Sequence, residues 1–381
     1  MTKTNVMRLL DAAKIPYRAA EYEVDENDLN GMHAAEGIGM PPEQIFKTLV
    51  AKGERGGFAV FCIPVCCELD LKKAAKAAHD VIALGKYSLS SDYKGLFLLG
   101  EGAESRSPEV IFAVQGWNDN SYEKANYPIG YDQGGLNCTC PSQNLVDAYE
   151  MKATGKNIWE MGSGYDSANP YAGRDPRLAM SILVNNTSFK GRPVECWVGG
   201  IDGYGRENAT TTGYYIRKYV NENLDLTQNQ TSVHAWILFR YAEILLNYAE
   251  ALNEYLGPES KGEFTMTAKA AVDAVRTRVG VGLPILPPGL TQDEMRARIY
   301  NERRVELAFE EHRFFDVRRW KIAEQTENEP IMGMRISKEG DGSFSYRAVM
   351  QEDRVFRDYM YLYPIPEAEV HKGAIEQNPG W

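Results

Sequence analysis

The residues of this sequence best suited to chemistry are its carboxylates, its cysteines and one strand lysine. Residues 301–320, NERRVELAFEEHRFFDVRRW, carry Glu302, Glu306, Glu310 and Asp316 in one run. Paired carboxylates are the apparatus of glycoside hydrolysis. Here they alternate with Arg303, Arg304, Arg313, Arg318 and Arg319 at helical spacing, which points to a salt-bridge network that fixes packing. Arg318 and Arg319 beside Trp320 add cation–π partners. The cysteines Cys62, Cys66, Cys67, Cys138, Cys140 and Cys196 lack zinc spacing, so neither a metal site nor a cofactor is expected. His33 and Glu36 lie one helical turn apart and read as a solvated face. No P-loop, nucleophile elbow or dinucleotide fingerprint occurs in the sequence. Lys47, in FKTLV, is flanked by strand apolars and reads from those neighbours as a side chain that snorkels outward.

A binding chemistry is more prominent. Trp117, Tyr122, Tyr131, Trp159, Trp197 and Tyr204 fall in polar stretches rich in Gly and Asn, where a core role is less expected than in a helix. A sugar ring packs its C–H groups on a π-face while its hydroxyls seek amides and charges. Asn118, Asn120, Gln133 and Arg206 are placed to supply those hydrogen bonds. The candidate ligand-binding residues are therefore Trp117, Asn118, Tyr122, Tyr131, Trp159, Trp197 and Tyr204.

Composition narrows the classes. The chain has 381 residues, 44% hydrophobic, with formal net charge −11, enough for a large core in one to three domains. Residues 1–78 hold 10 Lys+Arg against 11 Asp+Glu, and the remainder holds 32 against 42, so a basic nucleic-acid stripe is absent from the larger part. No run of 18 apolar residues provides a transmembrane helix. The N-terminal MTKTNVMRLLDAAKIPY is amphipathic and does not read as a signal peptide, so the chain expressed as written is expected in the cytoplasm.

The elements that must position these residues are mostly helical. WILFRYAEILLNYAEALNEY predicts a helix from Trp236, ended by Gly257-Pro258. A second is expected over Thr267–Val279. A third, opened by a Thr291/Glu294 capping box, is expected to carry the charged run through Trp320. Three such helices look like the closing part of a tetratricopeptide-like array. Between Ala77 and Trp236 the chain is loop-rich. It has strand-like runs at 107–115, 182–184 and 214–219, a helix near Leu145–Tyr149, and a short element that Asp175 caps. Phe344–Met350 predicts another strand, and residues 361–366 an extended segment. Near the N-terminus, helices are expected at 4–15 and 33–37, and strands at 17–24, 45–50 and 58–64.

Three blocks, FRYAEILLNYAEALNE, NERRVELAFEEHRFFDVRRW and YLYPIPEAEVHKGAIEQNPGW, together resemble the SusD/RagB nutrient-binding lipoproteins. The resemblance runs back through TTGYYIRKYV, RDPRL and CPSQNLVDAYEMK to about Ala77. It implies a mainly α, tetratricopeptide-like helical array with a loop-rich ligand face. It also implies capture of an oligosaccharide or peptide without chemistry, and delivery to a TonB-dependent transporter of the SusC type at the outer membrane.

The first 78 residues resemble a different family. MRLLDAAKIPY, GMPPEQIFKTLVAKG and ELDLKKAAKAA are similar to the YbaK/prolyl-tRNA-editing domain, a partial α/β unit here, and Lys47 matches that family's functional lysine. The pattern stops at Ala74–His79, before the glycine-rich loop that completes the editing pocket, so Lys47 is expected to be vestigial and tRNA is not an expected partner. The expected organisation is a partial editing domain over 1–78 joined to a SusD-like ligand-binding domain over 79–381, truncated at its N-terminal side. Two other readings stay open: deacylation of aminoacyl-tRNA by the first segment, and a joined sequence with no function as a whole.

Overall fold

The computed structural model describes residues 11, 14–18, 31–41, 46–52, 58–64, 70–132, 135–136, 138–372 and 376–381. The chain divides into two compact units, one over Leu71–Val355 and the other over Met1–Asp70 with Phe356–Trp381.

The larger unit is built on four helices. Leu71–Ala83 buries Ala75 and Ala78 in a core cluster with Ala242, Leu245, Leu246, Ala249 and Leu252 of the Tyr241–Leu256 helix. Small residues at that crossing let the backbones approach closely. Ala268–Thr277 adds Ala271, Val272 and Val275 to the cluster, and Gln292–Glu306 adds Met295 and Ile299. The capping box is present: Thr291 accepts from the Glu294 N–H while the Glu294 carboxylate accepts from the Thr291 N–H. The fold is mainly helical, as expected. The first of these helices runs without a break across the expected 78/79 division.

Two expectations about the charged and aromatic stretches need correction. Trp236 does not begin a helix. Ser232–Arg240 is a strand paired antiparallel with Val110–Asp119, and the helix starts at Tyr241, whose N–H donates to the Glu109 carbonyl at 2.8 Å. The β-branched and aromatic residues of SVHAWILF suit a pleated surface, and this tertiary pairing overrides the helical spacing. Nor is the 292–320 run one helix. It stops at Leu307, passes through Phe309 and Glu311 with φ of +63° and +65°, and restarts as His312–Arg319.

A second core cluster gathers Tyr127, Tyr149, Leu178, Ile182, Leu183, Phe189, Tyr214, Tyr215 and Ile336. Its lid is an antiparallel hairpin, Ile331–Lys338 with Phe344–Glu352, in the register Tyr346 opposite Ile336. The second of these strands matches expectation. The strand-like run at 214–219 shortens to Tyr215–Ile216, because Tyr219 takes φ +66°. Asp175 caps the Pro176–Ser181 helix as expected, accepting from the Arg177 N–H at 2.9 Å.

In the other unit, Gly31–Ile38 is helical, and Phe46–Lys52 pairs antiparallel with Phe58–Pro64, setting Lys47 opposite Ile63. The helix expected at 4–15 and the strand expected at 17–24 fall largely outside the described residues. Residues 356–372 and 376–381 include a 3-10 turn at Asp358–Tyr361, an extended stretch and the short Glu367–Val370 helix. The stretch is held by the Gln377 side chain, which bonds both the N–H and the carbonyl of Ile365.

Candidate functional site

The charged run is a buried network. Arg177 bonds Asp175, Glu302 (2.5 Å) and Glu306 (2.7 Å), Arg276 bonds Glu302 (3.0 Å) and Glu150 (2.7 Å), and Arg240 bonds Glu109, Glu306 and Glu310. Burial alone would raise the Glu306 carboxyl, but Arg278, Arg240 and Arg177 outweigh it and hold it well below the usual carboxylate range. Each of these carboxylates is committed to guanidiniums, so the network has a structural role and no free general acid or base.

The aromatic candidates are scattered over the larger unit. Trp117 stands 88% exposed where the Val110–Asp119 strand slips register between Gln115 and Asn118, and Asn118 sits opposite Val233. Trp159, 70% exposed, meets Tyr165 edge-on at 5.8 Å. Trp197 lies under the Lys338 ammonium (5.0 Å), and Tyr204 under the Arg335 guanidinium (3.4 Å), along the Ile331–Lys338 strand. Tyr131 is buried, stacked on Arg192 (3.5 Å) and edge-on to Phe189, with its hydroxyl donating to the Arg192 carbonyl. Its faces are therefore occupied by the core. Asn120 is likewise buried and donates to Asn229 and Gln230. Arg206 is exposed, with Nε on the Gly200 carbonyl at 2.8 Å. Gln133 and the Lys47 side chain lie outside the described residues.

Tyr122 lines a cleft of about 640 Å³ with Tyr219, Trp236, Phe309 and Glu311. Three of these wall residues, Tyr219, Phe309 and Glu311, hold left-handed backbone that bulky side chains rarely adopt.

A second cleft, of about 460 Å³, has the composition expected of a sugar site. Tyr171, Phe344 and Tyr346 supply aromatic surface, and Asn169, Asn185, Asn186 and Thr187 supply amides and a hydroxyl. Tyr171 meets Tyr346 edge-on, with ring centres 5.5 Å apart and planes at 89°. The Tyr171 hydroxyl donates to Tyr214 (3.2 Å), whose own hydroxyl donates to Gln143. Burial raises the Tyr171 phenol far above its ordinary range, so it stays a neutral donor. Arg174 fixes the wall by donating to the carbonyls of Val146, Tyr149 and Pro170. Asn185 accepts from the Cys196 N–H, and Asn186, at φ +67°, turns the chain at the rim. The sequence reading missed Tyr171, Phe344, Tyr346, Asn185, Asn186 and Thr187. One signal was available: Phe344 and Tyr346 sit two apart on a strand, so they share a face.

Among the described residues no group of three or more His, Cys, Asp and Glu is arranged for a metal ion, and no helix is long and apolar enough to cross a membrane.

Helices of this order, joined to loop-walled clefts and a covering hairpin, define a SusD-type binding fold. The SusD family model matches residues 108–381, and the chain belongs to that family. A SusD-like protein from Bacteroides fragilis superposes with a TM-score of 0.67 at 27% identity, over 82% of this chain and 62% of its own. A SusD-like carbohydrate-binding protein from the same organism superposes at 0.66, also at 27% identity, over 79% and 60%. SusD-like protein P2 of Formosa agariphila is 27% identical over 327 residues, 82% of this chain and 56% of the relative. The chain thus spans little more than half the length of that relative. An N-terminal stretch of 76 residues is 45% identical to a putative Cys-tRNA(Pro)/Cys-tRNA(Cys) deacylase of Enterococcus faecalis, covering 20% of this chain and 46% of that protein.

Proposed function

We propose that the protein binds a glycan for nutrient uptake, holding it in the Tyr171–Tyr346 cleft without chemical conversion. The observation that carries this reading is the combination in one recess of three aromatic rings with the side chains of Asn169, Asn185, Asn186 and Thr187. That is the pairing of π-faces and hydrogen-bonding groups a pyranose requires. The carbohydrate-binding relative from Bacteroides fragilis supports it. In this reading the loops of residues 115–210 form much of the ligand face, with Trp117, Asn118, Tyr122, Trp159, Trp197 and Tyr204 as further contacts along a longer chain. The protein works at the outer membrane, facing outward, and hands its ligand to a TonB-dependent SusC-type transporter. The test is calorimetric titration with a panel of neutral oligosaccharides. Binding that Tyr346→Ala weakens supports the reading, and a panel without any binder overturns it.

For the N-terminal stretch we propose an editing-type fragment, residues 1–78, that does not deacylate tRNA and precedes the ligand-binding part at 79–381. The 45% identity over 76 residues supports its origin, and the 46% coverage of the deacylase relative supports its incompleteness. Hydrolysis of mischarged tRNA that disappears in Lys47→Ala would refute it.

A further inference from the structure

A third cleft, of about 440 Å³, is lined by Arg304, Arg313 and Arg354 together with Ser142, Asn144, Thr326, Glu327 and Glu329. Its guanidiniums are unequally satisfied. Arg354 is held by the Glu327 carboxylate (2.7 Å) and by the carbonyls of Thr326 and Glu329. Arg304 donates to one carbonyl, that of Asn144, at 2.9 Å, and has no ion pair among the described residues. Arg313, from the first turn of the His312–Arg319 helix, makes neither a hydrogen bond nor an ion pair among the described residues. Burial, followed by the Arg304 charge, pushes the Arg313 guanidinium down to about 10, against the opposing pull of Glu327, Asp316 and Glu329. Arg304 is lowered as well, by burial, with Glu329 and Glu327 opposing. The recess thus has two guanidiniums without an ion pair of their own among the described residues, repelling each other across the cleft. A guanidinium is a fork of donors matched to an oxyanion.

We propose that this cleft binds an oxyanion substituent of the glycan, a uronate carboxylate or a sulfate ester, through Arg304 and Arg313. The proposal rests on the glycan reading above and adds the acidic class of sugar to it. Both clefts use the same hairpin: Phe344 and Tyr346 wall the aromatic one, whereas Ile331 and Arg354 at the other end wall the basic one. Tyr346 and Glu352 are six residues apart, about 20 Å along the strand, so an acidic residue of the ligand is read at a different place from the stacked one.

The experiment is titration of the whole chain at low salt with three probes of equal length. These are an oligogalacturonate, its carboxyl-reduced neutral counterpart, and a sulfated neutral oligosaccharide. The oligogalacturonate or the sulfated probe is expected to bind at least tenfold more tightly than the reduced form, and which of the two does so identifies the substituent. Arg313→Gln should abolish that preference while leaving the reduced form's affinity unchanged, and Arg313→Lys should restore part of it. Because Arg304 repels Arg313 in the unliganded cleft, Arg313→Gln should also melt no lower than the parent chain. Equal binding of charged and neutral probes, or a preference that survives Arg313→Gln, overturns the proposal. If no sugar binds, the glycan reading fails, and inorganic sulfate then tests the cleft alone. Sulfate that raises the melting temperature of the parent chain but not of Arg313→Gln upholds the oxyanion site, and an equal effect on both removes it.

Discussion

Arg240 donates from Nη1 to the Glu306 carboxylate at 2.6 Å, with both side chains buried. The pair fastens the end of the Ser232–Arg240 strand to the last turn of the Gln292–Glu306 helix. Glu306 also takes Arg177 and Arg278, so three buried guanidiniums share this carboxylate, and Asp175, Glu302, Glu109 and Glu310 supply the rest of their counter-charge. Removing one partner of such a buried network leaves charge without compensation, at a cost of about 3–5 kcal/mol. Glu306→Gln is expected to lower the unfolding free energy of the larger unit by that amount, read from its denaturant midpoint. Lys76→Ala, which breaks only the exposed pair with Asp80, should change it by less than about 1 kcal/mol.

The same network sets the response to acid. Burial opposes ionisation of Glu306 and Glu310, but Arg278, Arg240 and Arg177 around the first, and Arg240 and Lys218 around the second, hold both carboxyls below their unfolded values. A carboxyl depressed on folding contributes stability above its unfolded pKa, about 4.3. That contribution is lost as pH falls through the folded value. Melting temperature from these groups should therefore be flat above about pH 5 and fall steeply below about pH 4. In Glu306→Gln the acid limb should be shallower, and an unchanged limb would remove Glu306 from this role.

Lys218 gives the opposite test. Burial pushes its ammonium down to about 8, although Glu310 pulls it up. Its unfolded value is about 10.4. Between those two values the unfolded chain binds more protons, so this group's contribution to stability rises with pH. The stability difference between the parent chain and Lys218→Met is expected to shift in favour of the parent between about pH 8 and pH 10, measured by denaturant melts across that range.

What was legible in the sequence follows from how local each determinant is. The Thr291/Glu294 box, the Asp175 cap and the end at Gly257 depend on residues within one turn, and all three are present. The alternation of Glu and Arg over 302–319 was legible as a packing network for the same reason. The start of the helix at Tyr241 was not, because WILF satisfies both a helical stripe and a strand, and its pairing with residues 110–119 lies more than a hundred positions away. The break after Glu306 was hidden for a related reason. Phe309 and Glu311 take left-handed backbone without a glycine to signal it. The aromatic cleft joins Tyr171, residues 185–187 and Tyr346 across the fold, so no contiguous motif marks it. Tyr131, chosen for its polar neighbours, is a core residue because Phe189 and Arg192 are brought to it by a distant turn.

The close approach of the hairpin to residues 212–213 is a further point of sensitivity. Gly213 has φ +83°, and a Cβ there would stand 2.3 Å from the Met334 carbonyl oxygen. The Met334 N–H already donates to the Thr212 carbonyl at 2.7 Å, so the strand cannot simply move away. Gly213→Ala should cost about 2 kcal/mol or more, from left-handed backbone and the clash together. Gly289, with φ +75° but open space around it, should cost about 1 kcal/mol from backbone alone. Comparable midpoints for the two variants would show that the hairpin yields at Met334.

The aromatic cleft makes the sharpest prediction about binding. A stacked ring adds about 0.5–1.5 kcal/mol beyond area burial. Tyr346→Ala should therefore weaken a neutral oligosaccharide by about two- to twelvefold. Tyr346 is half-buried and its partner Tyr171 is anchored through Tyr214, so Tyr171→Phe tests the hydroxyl chain separately from the ring. It should leave stacking intact and change affinity by less than about threefold, the low end of the about 0.5–1.5 kcal/mol net of a neutral hydrogen bond, because the hydroxyl is committed to Tyr214. Asn186→Ala, at the rim, removes an exposed amide and should weaken binding, with a stability loss of at most about 1 kcal/mol because Asn186 holds left-handed backbone that asparagine tolerates better than alanine. Trp117, Trp159 and Trp197 provide the contrast. If their alanine variants lose the sugar while Tyr346→Ala keeps it, the ligand lies on the loop surface around residues 115–210 and the hairpin cleft is unused. If only Tyr346→Ala and Asn186→Ala lose it, the two walls of the cleft act together.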